Sequence, residues 1–424
     1  MTMLADLLST VFEGRMRATR PVASDDRPID ALLTALVGRS GEGSARSVAS
    51  EILRRYAAMD DSGKTEFFRF VTRSMDIDPA RVRMALDAYE AYPARKSYSD
   101  FMAASEPRRQ ELLRRLNQVH GATQALVSMR SDLLRLARHE PELGAFDIDF
   151  RHLFTSWFNR GFLVLRPMNW QSPAHILEKI IRYEAVHAID SWSDLRRRLE
   201  PEDRRCFAFF HPAMPDEPLI FVQVALTRGI PGSVQDLLAE DRAPIAAEEA
   251  DTAVFYSISN CQAGLAGISF GNSLITQVAA DLARALPALK TFVTLSPIPG
   301  LADWARASGL GLLEGEALLQ ATALYITQAK RSDGQPADPV ARFHLGNGAI
   351  VHAVHGEADT SPKGRAQSFG AMVNYRYDLD RVEENHERFV AEGYVTAVPE
   401  VHDLARLFGA KGRGGGETPR STTG

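Results

Sequence analysis

The sequence predicts a two-domain α+β protein, in which an all-helical N-terminal bundle is followed by an α/β domain. Three observations support this: the length of 424 residues, the 45% hydrophobic content, and a change of apolar periodicity near Gly144. A chain of this length is too long for a single hydrophobic core of ordinary size, and its composition is too apolar for a disordered protein. We predict a helical domain at residues 1–143, an α/β domain at 144–408 and a disordered tail at 409–424.

The first domain is predicted from apolar residues that recur at helical spacing between residues 45 and 140. Val48, Ile52 and Tyr56 share one helix face, and Leu112 and Leu116 share another. The arginines between such residues are typical of a solvated helix face, so we assign them no function. The polar segment 21–45 and the glycine-rich tail lack apolar content, and we predict that both are disordered.

The second domain is predicted from short runs of β-branched and aromatic residues that alternate with helical stretches. This alternation is typical of α/β domains. The apolar runs that we interpret as strands lie at residues 162–165, 206–210, 219–224, 253–258 and 291–295.

Charge and cysteine content exclude several classes of function. The net charge of −5 favours neither a nucleic-acid nor an anionic membrane partner, so any anion site must be local. The two cysteines, Cys206 and Cys261, cannot form a disulfide scaffold. No apolar stretch has the length of a membrane span, and the first residues lack the pattern of a secretory signal. We expect a soluble, cytoplasmic protein, and an organellar presequence at the N-terminus is the alternative.

A glycine-rich loop between a predicted strand and an amphipathic helix is the strongest local signal. The stretch SISNCQAGLAGISFGNSLITQVAADLARAL contains Gly264, Gly267 and Gly271 before the helix. Glycines let the backbone approach a ligand, and a helix N-terminus favours an anion such as a pyrophosphate. The sequence of this loop matches neither the Rossmann motif GxGxxG nor the Walker motif GxxxxGK[ST]. Spacing alone leaves open both a coenzyme A phosphate site and a simple packing turn.

Two further segments carry chemically competent side chains. In TLSPIPG, Pro297 ends the predicted strand, so Ser296 lies at a strand's carboxyl end, where α/β sheets bind ligands; an ST-turn is the alternative. The segment FHLGNGAIVHAVHGEADTSPKGRAQSFGAMVNYRY holds His344, His352 and His355, and histidine is the usual proton donor near neutral pH. We predict no metal site, because His352 and His355 are expected on opposite faces of a strand.

The strings SISNCQAGLAGISFGN, TLSPIPG and FHLGNGA…ADTSPKG…MVNYRY together resemble the malonyl-CoA decarboxylase family, from about His152 to Tyr377. The resemblance implies a helical domain that forms homo-oligomers and a catalytic domain with the GCN5-related N-acetyltransferase (GNAT) fold. It also implies that Ser296 and His344 form the catalytic pair and that Tyr377 is a further active-site residue. The implied acyl-CoA loop comprises Ala266, Gly267, Ile268, Ser269, Phe270, Gly271 and Asn272.

The same resemblance implies that malonyl-CoA is converted to acetyl-CoA and CO2. The thioester carbonyl can accept the electrons as an enolate, so no metal or organic cofactor is expected beyond the coenzyme A of the substrate. The family usually has an asparagine where this chain has His355, and we assign that position no role. Two alternatives stay open: a GNAT-type N-acyltransferase, which shares the fold, and a non-catalytic acyl-CoA-binding protein.

Overall fold

The computed structural model describes residues 25–38, 42–268 and 274–413. Within these residues the chain divides into two compact units, one that ends at Phe154 and one that begins at Thr155. The predicted domain boundary between residues 143 and 144 lies at the start of the helix Gly144–Trp157, eleven residues before the boundary between these two units. A helical unit is therefore followed by an α/β unit, which confirms the predicted fold class.

The helical unit is built from amphipathic helices that bury one face each. Asp78 caps one of them by accepting hydrogen bonds from the backbone N–H groups of Ala80 and Arg81, and Pro79 occupies the first helical position. The buried core includes Phe68, Phe146 and Phe150. The helices are α1 (Ile29–Val37), α2 (Glu42–Ala57), α3 (Asp61–Ser74), α4 (Pro79–Ala91), α5 (Arg95–Ser105), α6 (Arg108–Leu116), α7 (Ala122–Leu136) and α8 (Gly144–Trp157).

The prediction of a disordered segment at residues 21–45 is wrong over helix α1. Leu32, Leu33 and Leu36 lie on one face of this helix and are fully buried, so a short apolar stripe orders a segment whose average composition is polar. Residues 21–24 and 39–41 lie outside the described residues. At the other end of the chain, helix Pro399–Arg413 runs through the first part of the predicted disordered tail, and residues 414–424 lie outside the described residues.

The α/β unit is organised around an eight-stranded sheet in the order β1-β2-β3-β4-β5-β8-β6, with β7 paired to β8. All of its strand pairs are antiparallel except β4 and β5, which are parallel. The strands are β1 (Val164–Met168), β2 (Arg204–His211), β3 (Met214–Thr227), β4 (Thr252–Asn260), β5 (Thr291–Thr294), β6 (Ser296–Pro297), β7 (Ile350–His355) and β8 (Met372–Arg376).

Helices cover both faces of this sheet. One core joins Leu274 and Val278 of a helix to Val222 and Phe255 of the sheet, and a second joins Ile180 and other apolar residues to the opposite face. The helices are α9 (Ala174–Tyr183), α10 (Trp192–Leu199), α11 (Val234–Leu238), α12 (Leu274–Ala285), α13 (Leu301–Ala307), α14 (Gly315–Gln328), α15 (Pro339–Gly346), α16 (Pro362–Ser368), α17 (Val382–Glu392) and α18 (Pro399–Arg413).

The parallel pair β4–β5 opens into a wedge. It is paired only from Thr252 with Thr291 to Phe255 with Thr294. Beyond that point β4 stays paired with β3 as far as Asn260, whereas β6 pairs with β8. The two strands therefore diverge and leave a gap in the sheet that side chains and ligands can enter.

In the described part of the chain, no helix has the length and apolar character that crossing a membrane requires.

Candidate active site

Ser296 lies at the start of β6, on one side of the wedge. Its hydroxyl is buried and donates a hydrogen bond to Thr294 Oγ1 over 2.8 Å. Thr294 Oγ1 also accepts the backbone N–H of Tyr375 over 3.1 Å. The β5–β8 pairing therefore fixes the Thr294 side chain, and Thr294 in turn orients the serine hydroxyl.

His344 reaches the same point from helix α15. Asp338 caps this helix by accepting the backbone N–H groups of Val340 and Ala341, each over 2.9 Å, and Pro339 is the first helical residue. The His344 Nε2 atom lies 3.1 Å from Ser296 Oγ, although the two residues are 48 positions apart in the sequence. The structure thus brings the two predicted catalytic residues into direct hydrogen-bond contact.

Tyr377, the third predicted active-site residue, follows the end of β8. Its hydroxyl lies 2.9 Å from His344 Nδ1, and its backbone N–H donates to the carbonyl of Phe292 over 2.8 Å. The ring of Tyr375 stacks on the imidazole, with ring centroids 4.7 Å apart. Both ring nitrogens of His344 therefore have partners, and the ring plane is held by an aromatic neighbour.

Burial keeps these groups neutral. Desolvation lowers the pKa of His344 to about 3, and it raises the pKa of Tyr377 well above its ordinary value. A neutral phenol can donate to His344 Nδ1, which places the imidazole proton on Nε2, facing Ser296 Oγ. This tautomer follows from the hydrogen-bond network and gives an uninterrupted chain from Tyr377 through His344 and Ser296 to Thr294.

A cavity of about 240 Å³ adjoins Ser296 and His344 in the wedge. Its polar lining consists of these two residues with Tyr256 and Asn260. The remaining lining is apolar and comes from Val186, Phe255, Ile258, Pro297, Pro339, Val340 and Phe343. Among the described residues that line this first cavity, none carries a full charge.

A second cavity, of about 600 Å³, is lined in part by the predicted acyl-CoA loop. Ala266, Gly267 and Ile268 line it, and it shares Asn260 and Phe343 with the first cavity. Gly267 has a φ of +72°, in the left-handed region that favours glycine. The other predicted loop residues, Ser269, Phe270, Gly271 and Asn272, lie outside the described residues.

His355, to which the sequence assigned no role, is linked to this site indirectly. Its Nε2 atom hydrogen-bonds to Asn374 Oδ1, and Asn374 Nδ2 donates to the Thr294 carbonyl over 2.7 Å. His355 also packs against Gly232, where an added Cβ would lie 2.8 Å from its ring. His, Cys, Asp and Glu side chains in the described ranges form no group of three or more that could hold a metal ion.

Sequence reasoning assigned no role to Thr294, Tyr375 or Asp338. Tyr375 stood in the NYRY string beside Tyr377, and Thr294 stood two residues before Ser296 on the predicted strand. Alternation along the strand places residues i and i+2 on one face and could have indicated Thr294. The Asp-Pro pair before His344 is a helix-start signal that could have indicated the capping function of Asp338.

A helical unit, a mixed sheet with a wedge, and a Ser–His–Tyr array beside an uncharged cavity are features of an α/β enzyme. Residues 76–158 match the model of the malonyl-CoA decarboxylase N-terminal domain, and residues 161–312 and 313–411 match that of the C-terminal domain. The chain belongs to the malonyl-CoA decarboxylase family. It is therefore an enzyme of the carboxy-lyase class.

Two curated relatives show the same similarity over most of their length. The mitochondrial malonyl-CoA decarboxylase of Anser anser anser is 31% identical over 426 residues, covering 85% of this chain and 83% of the relative. The mitochondrial malonyl-CoA decarboxylase of Rattus norvegicus is 32% identical over 355 residues, covering 71% of this chain and 72% of the relative.

Solved bacterial structures are similar in fold as well as in sequence. The crystal structure of malonyl-CoA decarboxylase from Rhodopseudomonas palustris is 46% identical with a TM-score of 0.84, covering 88% of this chain and 98% of that one. The one from Agrobacterium vitis is 47% identical with a TM-score of 0.84, covering 89% and 99%.

Proposed function

We propose that this protein decarboxylates malonyl-CoA to acetyl-CoA and CO2, with Ser296 and His344 handling the proton. The observation that carries the proposal is the neutral Ser296–His344–Tyr377 array beside an uncharged cavity, which adjoins the cavity that the described part of the predicted acyl-CoA loop lines. The names of the family model and of the relatives support the choice of malonyl-CoA as substrate.

In the proposed reaction the bond between C2 and the carboxylate carbon breaks, and CO2 leaves. The bonding electron pair moves onto C2 and the thioester oxygen as an enolate. C2 then takes a proton through Ser296 and His344, with His344 as the donor, and solvent restores that proton after product release. An acyl-serine intermediate is not part of the proposal, since no carbon–sulfur bond breaks.

The uncharged lining of the first cavity favours this reaction. A malonyl carboxylate placed there would exchange its water shell for apolar side chains, without a cation among the described lining residues. Its charge becomes more dispersed as CO2 leaves and the enolate forms, so the cavity disfavours the starting carboxylate more than the transition state. None of the described residues that line this cavity is a carboxylate that could serve as base for an amine acceptor.

We propose further that the reaction requires no metal or organic cofactor. The thioester carbonyl of the substrate is itself the electron sink, so the chemistry does not call for a second one. The described part of the acyl-CoA loop supports placement of the coenzyme A moiety in the second cavity, since Gly267 leaves the backbone open to close approach. We propose that Ser269, Phe270, Gly271 and Asn272 complete the loop.

A homo-oligomer formed through the helical unit is also proposed. Helix α4 has no buried residue, and the α4–α5 hairpin exposes large apolar side chains. Met84 is 72% exposed and Tyr92 is 75% exposed. An apolar surface of this kind is typical of protein–protein contacts. A cytoplasmic location remains part of the proposal, although the curated relatives are mitochondrial by name.

The test is to incubate purified protein with malonyl-CoA and quantify CO2 and acetyl-CoA, with and without EDTA. Equal formation of both products, unaffected by EDTA, is expected. Activity that EDTA abolishes and zinc restores would contradict the cofactor-free mechanism. Acyl transfer to an added amine without CO2 release would favour an N-acyltransferase, and binding without any turnover would favour a non-catalytic acyl-CoA-binding protein.

A further inference from the structure

The second cavity contains a cation that the proposed mechanism does not use. Of the described residues that line this cavity, Arg342 alone is charged; the others are apolar or neutral polar side chains. Arg342 lies on helix α15, two residues before His344, and is partly exposed. A lone arginine in a neutral cavity is a recognition element for an anion, provided that its guanidinium is anchored and not already paired with a carboxylate.

The guanidinium of Arg342 is anchored on one side only. One terminal nitrogen, Nη1, donates to the carbonyl of Pro336 over 2.6 Å and to the carbonyl of Ala337 over 2.9 Å. The other terminal nitrogen and Nε have no partner among the described residues. The undescribed loop residues 269–273 contain no acidic side chain that could pair with them. The side chain is therefore held in place with donors left over.

The acid nearest in sequence does not occupy these donors. Asp338 directs Oδ1 to the backbone N–H groups at the start of helix α15, and no ion pair joins it to Arg342 in the described part of the chain. Asp338 Oδ2 is buried without a hydrogen-bond partner. Arg342 is thus available to a ligand.

Helix α15 lies between the two cavities and contributes side chains to both. Val340 and His344 face the first cavity, whereas Arg342 and Gly346 face the second, and Phe343 borders both. The malonyl carboxylate must lie in the first cavity, where the proposed catalytic groups are. The anion that reaches Arg342 must therefore belong to another part of the substrate, and the remaining anions of malonyl-CoA are its phosphates.

We propose that Arg342 is a specificity-determining residue that binds a phosphate ester of the coenzyme A nucleotide. This inference rests on the proposed function, since it takes malonyl-CoA as the substrate. The phosphate can be either the pyrophosphate or the 3′-phosphate, because both present the charged oxygens that a guanidinium recognises. Arg342 thereby distinguishes coenzyme A from acyl carriers that lack the nucleotide.

Calorimetry with three ligands tests the proposal: coenzyme A, 3′-dephospho-coenzyme A and pantetheine, which lacks phosphate groups. We expect Arg342→Gln to raise the Kd for coenzyme A about tenfold or more. Its Kd for pantetheine should match that of the wild type. If the 3′-phosphate is the partner, the wild type should bind dephospho-coenzyme A as weakly as the variant binds coenzyme A. If the pyrophosphate is the partner, the variant should weaken both nucleotides equally.

Two further variants keep the result interpretable. Arg342→Lys retains the charge and should recover part of the lost affinity even if the glutamine variant is unstable. Arg306→Gln, an exposed arginine paired with Asp303 outside both cavities, is the matched control and should bind coenzyme A normally. A Kd for coenzyme A unchanged in Arg342→Gln, or equal weakening of pantetheine, would overturn the assignment. Failure of the wild type to bind coenzyme A would instead overturn the proposed function.

Discussion

In the proposed mechanism His344 exchanges a proton while it is buried, and its hydrogen bonds suit a neutral residue to this role. Tyr377 contacts one ring nitrogen and Ser296 contacts the other. A neutral imidazole can give up its Nε2 proton toward Ser296 while Nδ1 takes the hydroxyl proton of Tyr377, so the negative charge of the enolate passes onto this chain until solvent restores the proton. The three residues are therefore expected to act as one unit.

Removal of either member of this unit should abolish most of the catalysis. Ser296→Ala and His344→Ala should each lower kcat by about a hundredfold or more, because each interrupts proton transfer. Coenzyme A affinity should change little, since neither residue lines the second cavity. Steady-state kinetics and calorimetry on both variants, with folding checked by circular dichroism, provide the measurement.

The double variant of Ser296 and His344 shows whether the two residues cooperate. The factor by which its kcat falls should be much smaller than the product of the two factors measured for the single variants, because the second residue contributes little once the first is gone. Fully multiplicative losses would show that the residues act independently. Near-wild-type turnover in His344→Ala would remove the proton donor from the mechanism.

The sequence indicated Ser296, His344 and Tyr377 through their strings, but it did not indicate what orients them. Thr294 matters because β5 pairs with β8, which brings the backbone of Tyr375 onto its hydroxyl. That pairing joins segments 81 residues apart in the sequence. Local patterns report periodicity and turns, whereas a hydrogen bond between distant strands depends on the whole sheet.

Helix α15 carries the proposed catalytic histidine and is capped by an unusual acid, Asp338. Burial raises the pKa of Asp338 from 3.8 to about 6, although hydrogen bonds from backbone N–H groups and the positive charge of Arg342 oppose the shift. The folded protein therefore holds this proton more tightly than the unfolded chain does. The buried carboxylate lowers the free energy of unfolding by its full amount above a pH of about 6. This cost shrinks as the pH falls from about 6 toward 3.8, and it is absent below that value.

Replacement of Asp338 by asparagine should remove this pH-dependent cost while an amide oxygen keeps the helix cap. The free energy of unfolding of Asp338→Asn minus that of the wild type should be about 1 kcal/mol larger at pH 8 than at pH 5, which means that the variant gains stability relative to the wild type as the pH rises. Urea denaturation at both values measures it. Asp303→Asn, at an exposed acid on α13, is the control. If the free energies of unfolding of the variant and the wild type differ by the same amount at both pH values, the folded and unfolded proteins bind the Asp338 proton equally over this range. That result would contradict a raised pKa of Asp338.

The loop before helix α12 offers a prediction with a matched control. Gly267 and Gly309 have φ values of +72° and +70°, and an added Cβ at either position would lie more than 4 Å from the other described residues. Alanine at each position should cost about 1 kcal/mol of stability because of the backbone conformation. Only Gly267→Ala should also weaken coenzyme A binding, since only Gly267 lines the second cavity. Equal affinities in the two variants would identify the loop as a packing turn.

Among the elements, those with strong local patterns were predicted best. The runs at 206–210, 219–224 and 253–258 fall within β2, β3 and β4. The wedge was not predicted, because it depends on β6 leaving β4 for β8, and no local pattern specifies that partner. Helix α1 was missed since a single stripe of three leucines was averaged into a polar segment.

At the scale of the whole molecule, the helical unit contains a hairpin whose large apolar side chains face solvent in a single chain. Tyr89 and Tyr98 contact each other across the hairpin, with ring centroids 5.9 Å apart, so α4 and α5 pack mainly on one another. Exposure of Met84 and Tyr92 is costly in water unless another surface covers them. A second copy of the chain is the partner proposed above.

Charge placed on this hairpin should therefore dissociate the oligomer without unfolding the chain. Met84→Glu and Tyr92→Glu should each shift the protein to a smaller species in analytical ultracentrifugation, because a buried, unpaired carboxylate disfavours an apolar interface. Neither side chain is buried within the chain, so the circular dichroism spectrum should not change. Leu312→Glu, at a residue of the α/β unit that is 74% exposed, adds the same charge outside the hairpin and should leave the mass unchanged. A wild-type protein that is already monomeric, or hairpin variants of unaltered mass, would show that this surface does not mediate assembly.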